Sequence, residues 1–245
     1  MMRQLLDLLD DLAKKSTPAR VWWRDDDATN PSAPLDRLLD LTEAAGIPLT
    51  LAVIPAFSGA ALARSLRLLP HVTVAVHGWA HQNHANSGEK KQELGPHRPA
   101  SAVLEELSRG LGHLTDLHGA QAAPVLVPPW NRISADVVAL LPEAGFAALS
   151  VFGPEQPGPL PIVNTHVDVM DWRGTRGGRA ADAVMADLIA AIQRGRPVGI
   201  VTHHLVHDAA AWNVLETLAR LTKGHPGWHW VGLPELAAAH TRPQH

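Results

Sequence analysis

The chain of 245 residues contains no cysteine. Disulfides and thiolate metal sites are therefore excluded, and any bound metal has to sit on His, Asp or Glu. Tyrosine is also absent and phenylalanine occurs only three times, so aromatic surface must come from tryptophan. Charge of one sign is not in excess. A net charge of −3 with histidines neutral gives no reason to expect a nucleic-acid or membrane-surface partner. No apolar run approaches the ~20 residues of a membrane span. The opening segment, Met1 to Lys15, alternates leucines with Asp7, Asp10 and Asp11 and reads as an acidic amphipathic helix. A signal peptide needs a basic start and an unbroken apolar run, so the expected location is the cytoplasm. With no internal repeat, low-complexity tract or linker, residues 1–245 are expected to form a single domain.

What is present points to a globular protein. Hydrophobic residues make up 46% and charged residues 18%, within the range of packed domains. Fifteen histidines and eight tryptophans make imidazole and indole unusually abundant. Short β-rich runs alternate with amphipathic helical stretches. Strands are expected at Arg20–Arg24, Pro48–Ile54, Val72–Val76, Pro124–Val127, Phe146–Val151, Ile162–Val167, Pro197–Thr202 and Trp228–Gly232. Helices are expected over Met1–Lys15, Ala33–Ala45, Gly59–Leu69, Ser101–His118, Ser134–Ala144, Ala180–Arg194 and Asp208–Lys223, with a last one opening at Pro234. Such alternation implies parallel strands with right-handed crossovers. The expected fold class is α/β: a single (β/α) barrel, distorted, with seven or eight strands. An open doubly wound sheet is the alternative.

In parallel α/β folds, sites lie beyond the C-terminal ends of the strands. The distinctive polar residues gather there. The first strand runs into Asp25, Asp26 and Asp27; the third into His77-Gly78-Trp79-Ala80-His81; the fourth into Pro128-Pro129-Trp130-Asn131; the sixth into Asp168-Val169-Met170-Asp171-Trp172; the seventh into His203-His204. A spacing of four would put the imidazoles of His77 and His81 on one face of a helical turn, near enough to grip one ion. Two His and one carboxylate form a common catalytic zinc set with a position left for water. Three adjacent carboxylates repel one another, so a division of labour is expected: one Asp binds metal and a neighbour takes a proton from the activated water. Trp79, Trp130 and Trp172 fall in the same strand-end loops, as ring faces for a ligand or as packing residues. The long segment from Asn83 to Pro99 is either a lid or a solvated charged loop.

These motifs, in this order, resemble those of the polysaccharide deacetylases (carbohydrate esterase family four, the NodB-homology deacetylases). The resemblance runs from about Val21 to Asp208. Arg24-Asp25-Asp26-Asp27-Ala28 stands where the family has Thr-Phe-Asp-Asp-Gly. With Ala28 in the place of the Gly, the resemblance implies Asp26 as base and Asp27 as metal ligand; a one-residue slip would give Asp25 and Asp26. His77 and His81 match the family's metal histidines. Pro129-Trp130 matches its Arg-x-Pro-aromatic motif, except that Val127 replaces the Arg that steadies the base, leaving Arg24 or Arg132 to substitute. Asp168 to Trp172 matches Asp-x-x-Asp-Trp. Either His203 or His204 matches the general acid, with Asp168 or Asp208 to orient it.

The resemblance implies a divalent metal, zinc first, and hydrolysis of an N-acetyl or related acyl group on a sugar, oligosaccharide or metabolite. It assigns Asp26, His203, His204 and Asp168 to catalysis, Asp27, His77 and His81 to the metal, and Trp79, Pro129, Trp130 and Trp172 to the substrate. The alternatives are a hydrolase of another non-peptide C–N amide bond, and a barrel that binds carbohydrate or metal without turnover.

Overall fold

The computed structural model describes residues 1–240; the last five residues of the expected domain 1–245 lie outside them. In chain order the elements are α1 (Met2–Lys14), β1 (Ala19–Ala28), α2 (Ala33–Ala45), β2 (Leu49–Val53), α3 (Ala60–Leu66), β3 (Val72–Val76), α4 (Ala100–His118), β4 (Ala122–Leu126), α5 (Ala135–Leu140), β5 (Ala148–Leu149), β6 (Val167–Asp168), α6 (Ala181–Ile192), β7 (Val198–Thr202), α7 (Ala209–Thr222), β8 (Trp228–Trp230) and α8 (Leu233–His240). The fold class is α/β, a distorted (β/α)-barrel type in which the named strand pairs are parallel. Among the described residues no helix is long and apolar enough to cross a membrane.

The chain divides into two compact units. The first comprises Met1–Asp26, Ser32–Leu49 and Thr165–Gly232. In it β1 pairs with β7 from Val21↔Val198 to Asp25↔Thr202 and with β8 from Ala19↔Trp228 to Val21↔Trp230, while β6 pairs with β7 at Asp168↔Val201. α1 packs on α6 and α2 on α7. Leu5 and Leu9 of α1 are fully buried, each contributing about 1.5–3 kcal/mol of apolar burial. The ends of α2 follow from two residues: the Ser32 side chain accepts the Leu35 N–H, and Gly46 closes the helix at φ 66°, a left-handed conformation that costs a glycine nothing.

The second unit comprises Asp27–Pro31, Thr50–Asn164 and the segment from Leu233 onward. Here the C-terminal strand ends are laced together stepwise. Ile54 N–H donates to Ala28, His77 to Val53, Val127 to Val76 and Ser150 to Leu126, all at 2.8–2.9 Å. The apolar runs of β2 and β3 are buried at nearly every position, as expected for strands covered on both faces.

Two expected strands are much shorter than their apolar patterns. Phe146–Val151 yields only Ala148–Leu149, and Ile162–Val167 yields only Val167–Asp168 plus a single bridge between Leu149 and Ile162. The intervening segment carries Gly153, Pro154, Pro157, Gly158, Pro159 and Pro161. Proline supplies no N–H to a ladder, so pairing cannot propagate through it.

Candidate functional site

In the second unit Asp27, next to last in β1, is held at φ 72°. Its Oδ1 lies 3.1 Å from His77 Nε2 and 3.3 Å from His81 Nε2. One ligand atom from each of the three residues falls within 4.8 Å of the others. His77 Nδ1 donates to the Val127 carbonyl at 2.9 Å. A carbonyl can only accept, so this bond puts a proton on Nδ1, and in the neutral ring the Nε2 lone pair then faces the Asp27 carboxylate. A lone pair aimed at a carboxylate oxygen is satisfied by a cation, and a second contact on the far ring nitrogen is the usual way of orienting a metal-binding histidine. The donor set therefore fits a divalent ion with a coordination position to spare.

The segment carrying these histidines is not a helical turn. Gly78 sits at φ 62° and His81 at φ 52°, and the four-residue spacing acts through an irregular loop. The loop wraps a carboxylate that the sequence reading missed. Glu93, 1% exposed, accepts N–H groups from Trp79 at 3.2 Å, Ala80 at 2.8 Å and Gln82 at 3.4 Å. A Cβ on Gly78 would stand 1.9 Å from Glu93 Oε2 and 2.6 Å from Pro129 Cγ, so only glycine fits. The one signal for Glu93 was an acid beside Leu94 in an otherwise polar stretch.

The tryptophans separate. The Trp79 ring lies 4.0 Å beneath the Arg109 guanidinium and meets Gly110 of α4, so it is engaged in packing and cation–π contact. Trp130, at φ 54°, sets its ring 4.2 Å from that of His81. Pro129 is buried against the Gly78 turn. The Asn83–Pro99 segment is tied down. Its Leu94 bridges Ile133, His97 pairs with Glu89 at 2.7 Å, and Arg98 makes a two-pronged pair with Glu106 at 3.0 and 2.7 Å.

In the first unit, Arg24 grips Asp26 with two bonds, Nε to Oδ1 at 2.8 Å and Nη2 to Oδ2 at 2.9 Å, and both side chains are buried. Arg132 instead donates to the Lys91 carbonyl at 2.8 Å. Of the two arginines available to replace the missing family residue, Arg24 is the one on an acidic side chain. Asp25 is fully buried and accepts from Thr202 Oγ1 at 2.6 Å, the His204 amide at 3.0 Å and His204 Nδ1. Burial pushes its carboxyl upward, but the charge and hydrogen bond of His204, aided by Thr202, outweigh that and hold it below the ordinary carboxylate range.

His203 and His204 thus meet different surroundings. His204 is committed to Asp25. His203 has its Nε2 at 4.0 Å from Asp26 Oδ2, and its ring meets that of Trp172 in a T-shaped contact with centroids 4.7 Å apart. Its amide donates to His207 Nε2 at 3.1 Å. Burial pushes His207 down to about 4, so near neutrality it is an uncharged acceptor. Asp168 accepts the Met170 amide and Trp172 Nε1, each at 2.8 Å, and burial raises its carboxyl above the ordinary range. Asp208 caps α7 through the Ala211 amide at 2.9 Å and takes the Gly178 amide at 3.0 Å.

No family model matches the sequence, and no curated protein does. Solved structures do. A Mycobacterium smegmatis protein assigned as a polysaccharide deacetylase is 17% identical with a TM-score of 0.72, covering 94% of this chain and 96% of that one. A family 4 acetyl xylan esterase from Clostridium thermocellum, in complex with a cobalt ion, is 16% identical with a TM-score of 0.60, covering 91% and 93%. A peptidoglycan deacetylase from Bacillus subtilis is 15% identical with a TM-score of 0.62, covering 92% and 93%. At this level of identity the likeness is one of fold. These neighbours are polysaccharide deacetylases and family 4 carbohydrate esterases, the family whose motifs the sequence resembles.

Proposed function

We propose that this chain is a metal-dependent hydrolase that removes an N-acetyl or related acyl group from a sugar, oligosaccharide or small metabolite. The observation that carries the reading is the convergence of Asp27, His77 and His81, with the His77 proton fixed on the ring nitrogen remote from the carboxylate. In this reading residues 1–245 act as one catalytic domain in the cytoplasm, on a soluble substrate.

Asp27, His77 and His81 would hold the ion, zinc first by donor set, although cobalt, nickel and iron take the same ligands. Such an ion, when bound, supplies Lewis acidity toward an acyl oxygen and toward water. Asp26 accepts the proton of the attacking water. The two bonds from Arg24 fix the plane of its carboxylate, and each oxygen keeps a further lone pair for the proton. The water oxygen bonds to the acyl carbon, the C–N bond breaks, and His203 delivers a proton to the departing amine. His203 is preferred to His204 because the His204 imidazole is engaged with Asp25. A backbone N–H in the Pro129–Asn131 turn serves the developing oxyanion. Trp130 and Trp172 offer ring faces for a sugar. The transfer of the arginine clamp from position 127 to Arg24 favours, as a second reading, cleavage of another non-peptide C–N amide bond.

The test is metal content together with acetate release from a panel of N-acetylated saccharides. Wild type should carry about one ion and release acetate; His77→Ala should lose the ion; Asp26→Asn should keep the ion without turnover. A wild-type chain that binds no divalent metal across pH 6–9 would remove the central claim in favour of a non-catalytic barrel. Metal without acetate release would leave the site standing and redirect the substrate class to other C–N bonds.

A further inference from the structure

We infer that Glu93 makes the Asn83–Pro99 loop a strap that pre-shapes the metal-binding loop, so that the order of the strap and the affinity for metal are linked. The inference rests on the metal reading above. The His77–His81 segment lies outside the helices and strands, tied by the His77 amide to Val53 and by the Ala56 amide to the Trp79 carbonyl, and it includes left-handed backbone at Gly78 and at the non-glycine His81. Left to itself such a segment samples other conformations, and each departure moves His81 relative to His77. Its amides at Trp79, Ala80 and Gln82 all converge on one buried carboxylate. Bonds from backbone N–H to an ionised acceptor are stronger than neutral ones, and three of them fix the loop's curvature.

Glu93 does not belong to that loop. It stands eleven to fourteen positions later in sequence than its donors, on a segment anchored independently. Leu94 bridges Ile133 and its carbonyl accepts the Ser134 amide at 2.9 Å, while within the strap the Gln92 carbonyl accepts the His84 amide at 3.0 Å. Leu94 itself is 1% exposed. The carboxylate is therefore delivered by a pinned strap into space that exists because Gly78 has no side chain. Glu93 is a positioning residue: it acts through His81 and touches neither the ion nor the substrate. Linkage is reciprocal, so metal binding must in turn steady the strap.

The test uses the full chain and Co²⁺ or Zn²⁺ as probe. Metal affinity is measured by calorimetry, and the visible spectrum of the cobalt form is recorded, for wild type, Glu93→Gln and Glu106→Gln. The last removes the Arg98 partner but leaves the carboxylate under the loop. Gln offers one acceptor oxygen and would set an NH2 against the loop amides. Glu93→Gln should bind metal about 10–100-fold more weakly, the usual scale for partners that orient ligands, with an altered cobalt spectrum. Glu106→Gln should stay within about threefold of wild type. Hydrogen exchange of residues 83–99 in the wild type should slow when metal is added, a readout that holds if Glu93→Gln fails to fold. Wild-type affinity and spectrum in a folded Glu93→Gln, or strap amides indifferent to metal, would overturn the strap while leaving the metal site intact. A wild type that binds no metal would instead bring down the reading on which it rests.

Discussion

Two carboxylate–imidazole groupings grow from the same end of β1, two residues apart. Asp27 faces His77 and His81 with about a third of its side chain exposed. Asp25 faces His204 with neither side chain exposed, and its oxygens are taken by Thr202 and the His204 amide as well. The residue types are the same and the consequences opposite. A partly exposed cluster of metal-ligating side chains is suited to receive something. A sealed pair with both Asp25 oxygens occupied is built to stay closed, and its removal is felt by the fold. Asp26, between them, belongs to neither and is claimed by Arg24.

The largest effect should come from that middle residue. Asp26→Asn keeps the side-chain shape but cannot take up a proton, so kcat/KM of the folded fraction should fall by about 10²–10⁴-fold, the range of general acid–base catalysis, with its metal content unchanged, alongside a stability loss from leaving buried Arg24 opposite a neutral amide. Retained turnover would move the base elsewhere and leave Arg24–Asp26 as a structural pair. Next in size is Asp25→Asn. It leaves the His204 imidazole buried opposite a neutral amide, and breaking one side of a buried pair costs about 3–5 kcal/mol. Urea unfolding should show that loss while the metal affinity of the remaining folded protein stays within a few-fold. A variant of normal stability that cannot bind metal would reverse the division between the two groupings.

A third effect depends on pH. His207 is held at about 4 against an ordinary 6.5, burial being the first cause. In the unfolded chain it takes up a proton as pH falls through about 6.5, whereas in the folded chain it does so only near 4. Within that window the unfolded state binds more protons, so stability declines as pH falls from about 6.5 toward 4 and the contribution is constant outside it. The depression corresponds to about 3 kcal/mol in total. Asp25 acts lower: its carboxyl is depressed, so its contribution is present above the ordinary aspartate range and fades only below it. Unfolding free energies at pH 7.5 and 4.5 should diverge less in His207→Gln than in wild type; equal divergence would assign the acid sensitivity to other groups.

How much of this was legible beforehand depended on the reach of each interaction. α2 could be read to the residue because Ser32 and Gly46 act within one turn. β3 was read to the residue from its apolar run, and the strands around 146–167 were overextended because the pattern ignored six Pro and Gly between them. The acidic triplet announced chemistry but not its partition. That is set by partners 2, 50 and 179 positions away: Arg24 for Asp26, His77 for Asp27 and His204 for Asp25. No local rule distinguishes three adjacent aspartates when two of the three partners, His77 and His204, come from distant segments. Glu93 escaped for a related reason: its donors are backbone amides, which carry no sequence signature.

The smallest effect sharpens the comparison most. Asp27→Asn in the metal-free chain should change stability by no more than about 1 kcal/mol, since a partly exposed pair of this kind is screened by solvent. Added zinc should then separate the two proteins. An ion that binds only the folded wild type at a hundred times its Kd stabilises it by about 2.7 kcal/mol, and the variant, lacking the carboxylate ligand, should gain little. Thermal unfolding with and without metal reads both halves of this statement. A metal-free Asp27→Asn several kcal/mol less stable than wild type would mean that Asp27, like Asp25, is there for the fold. Equal stabilisation of both proteins by zinc would place the ion on ligands other than Asp27.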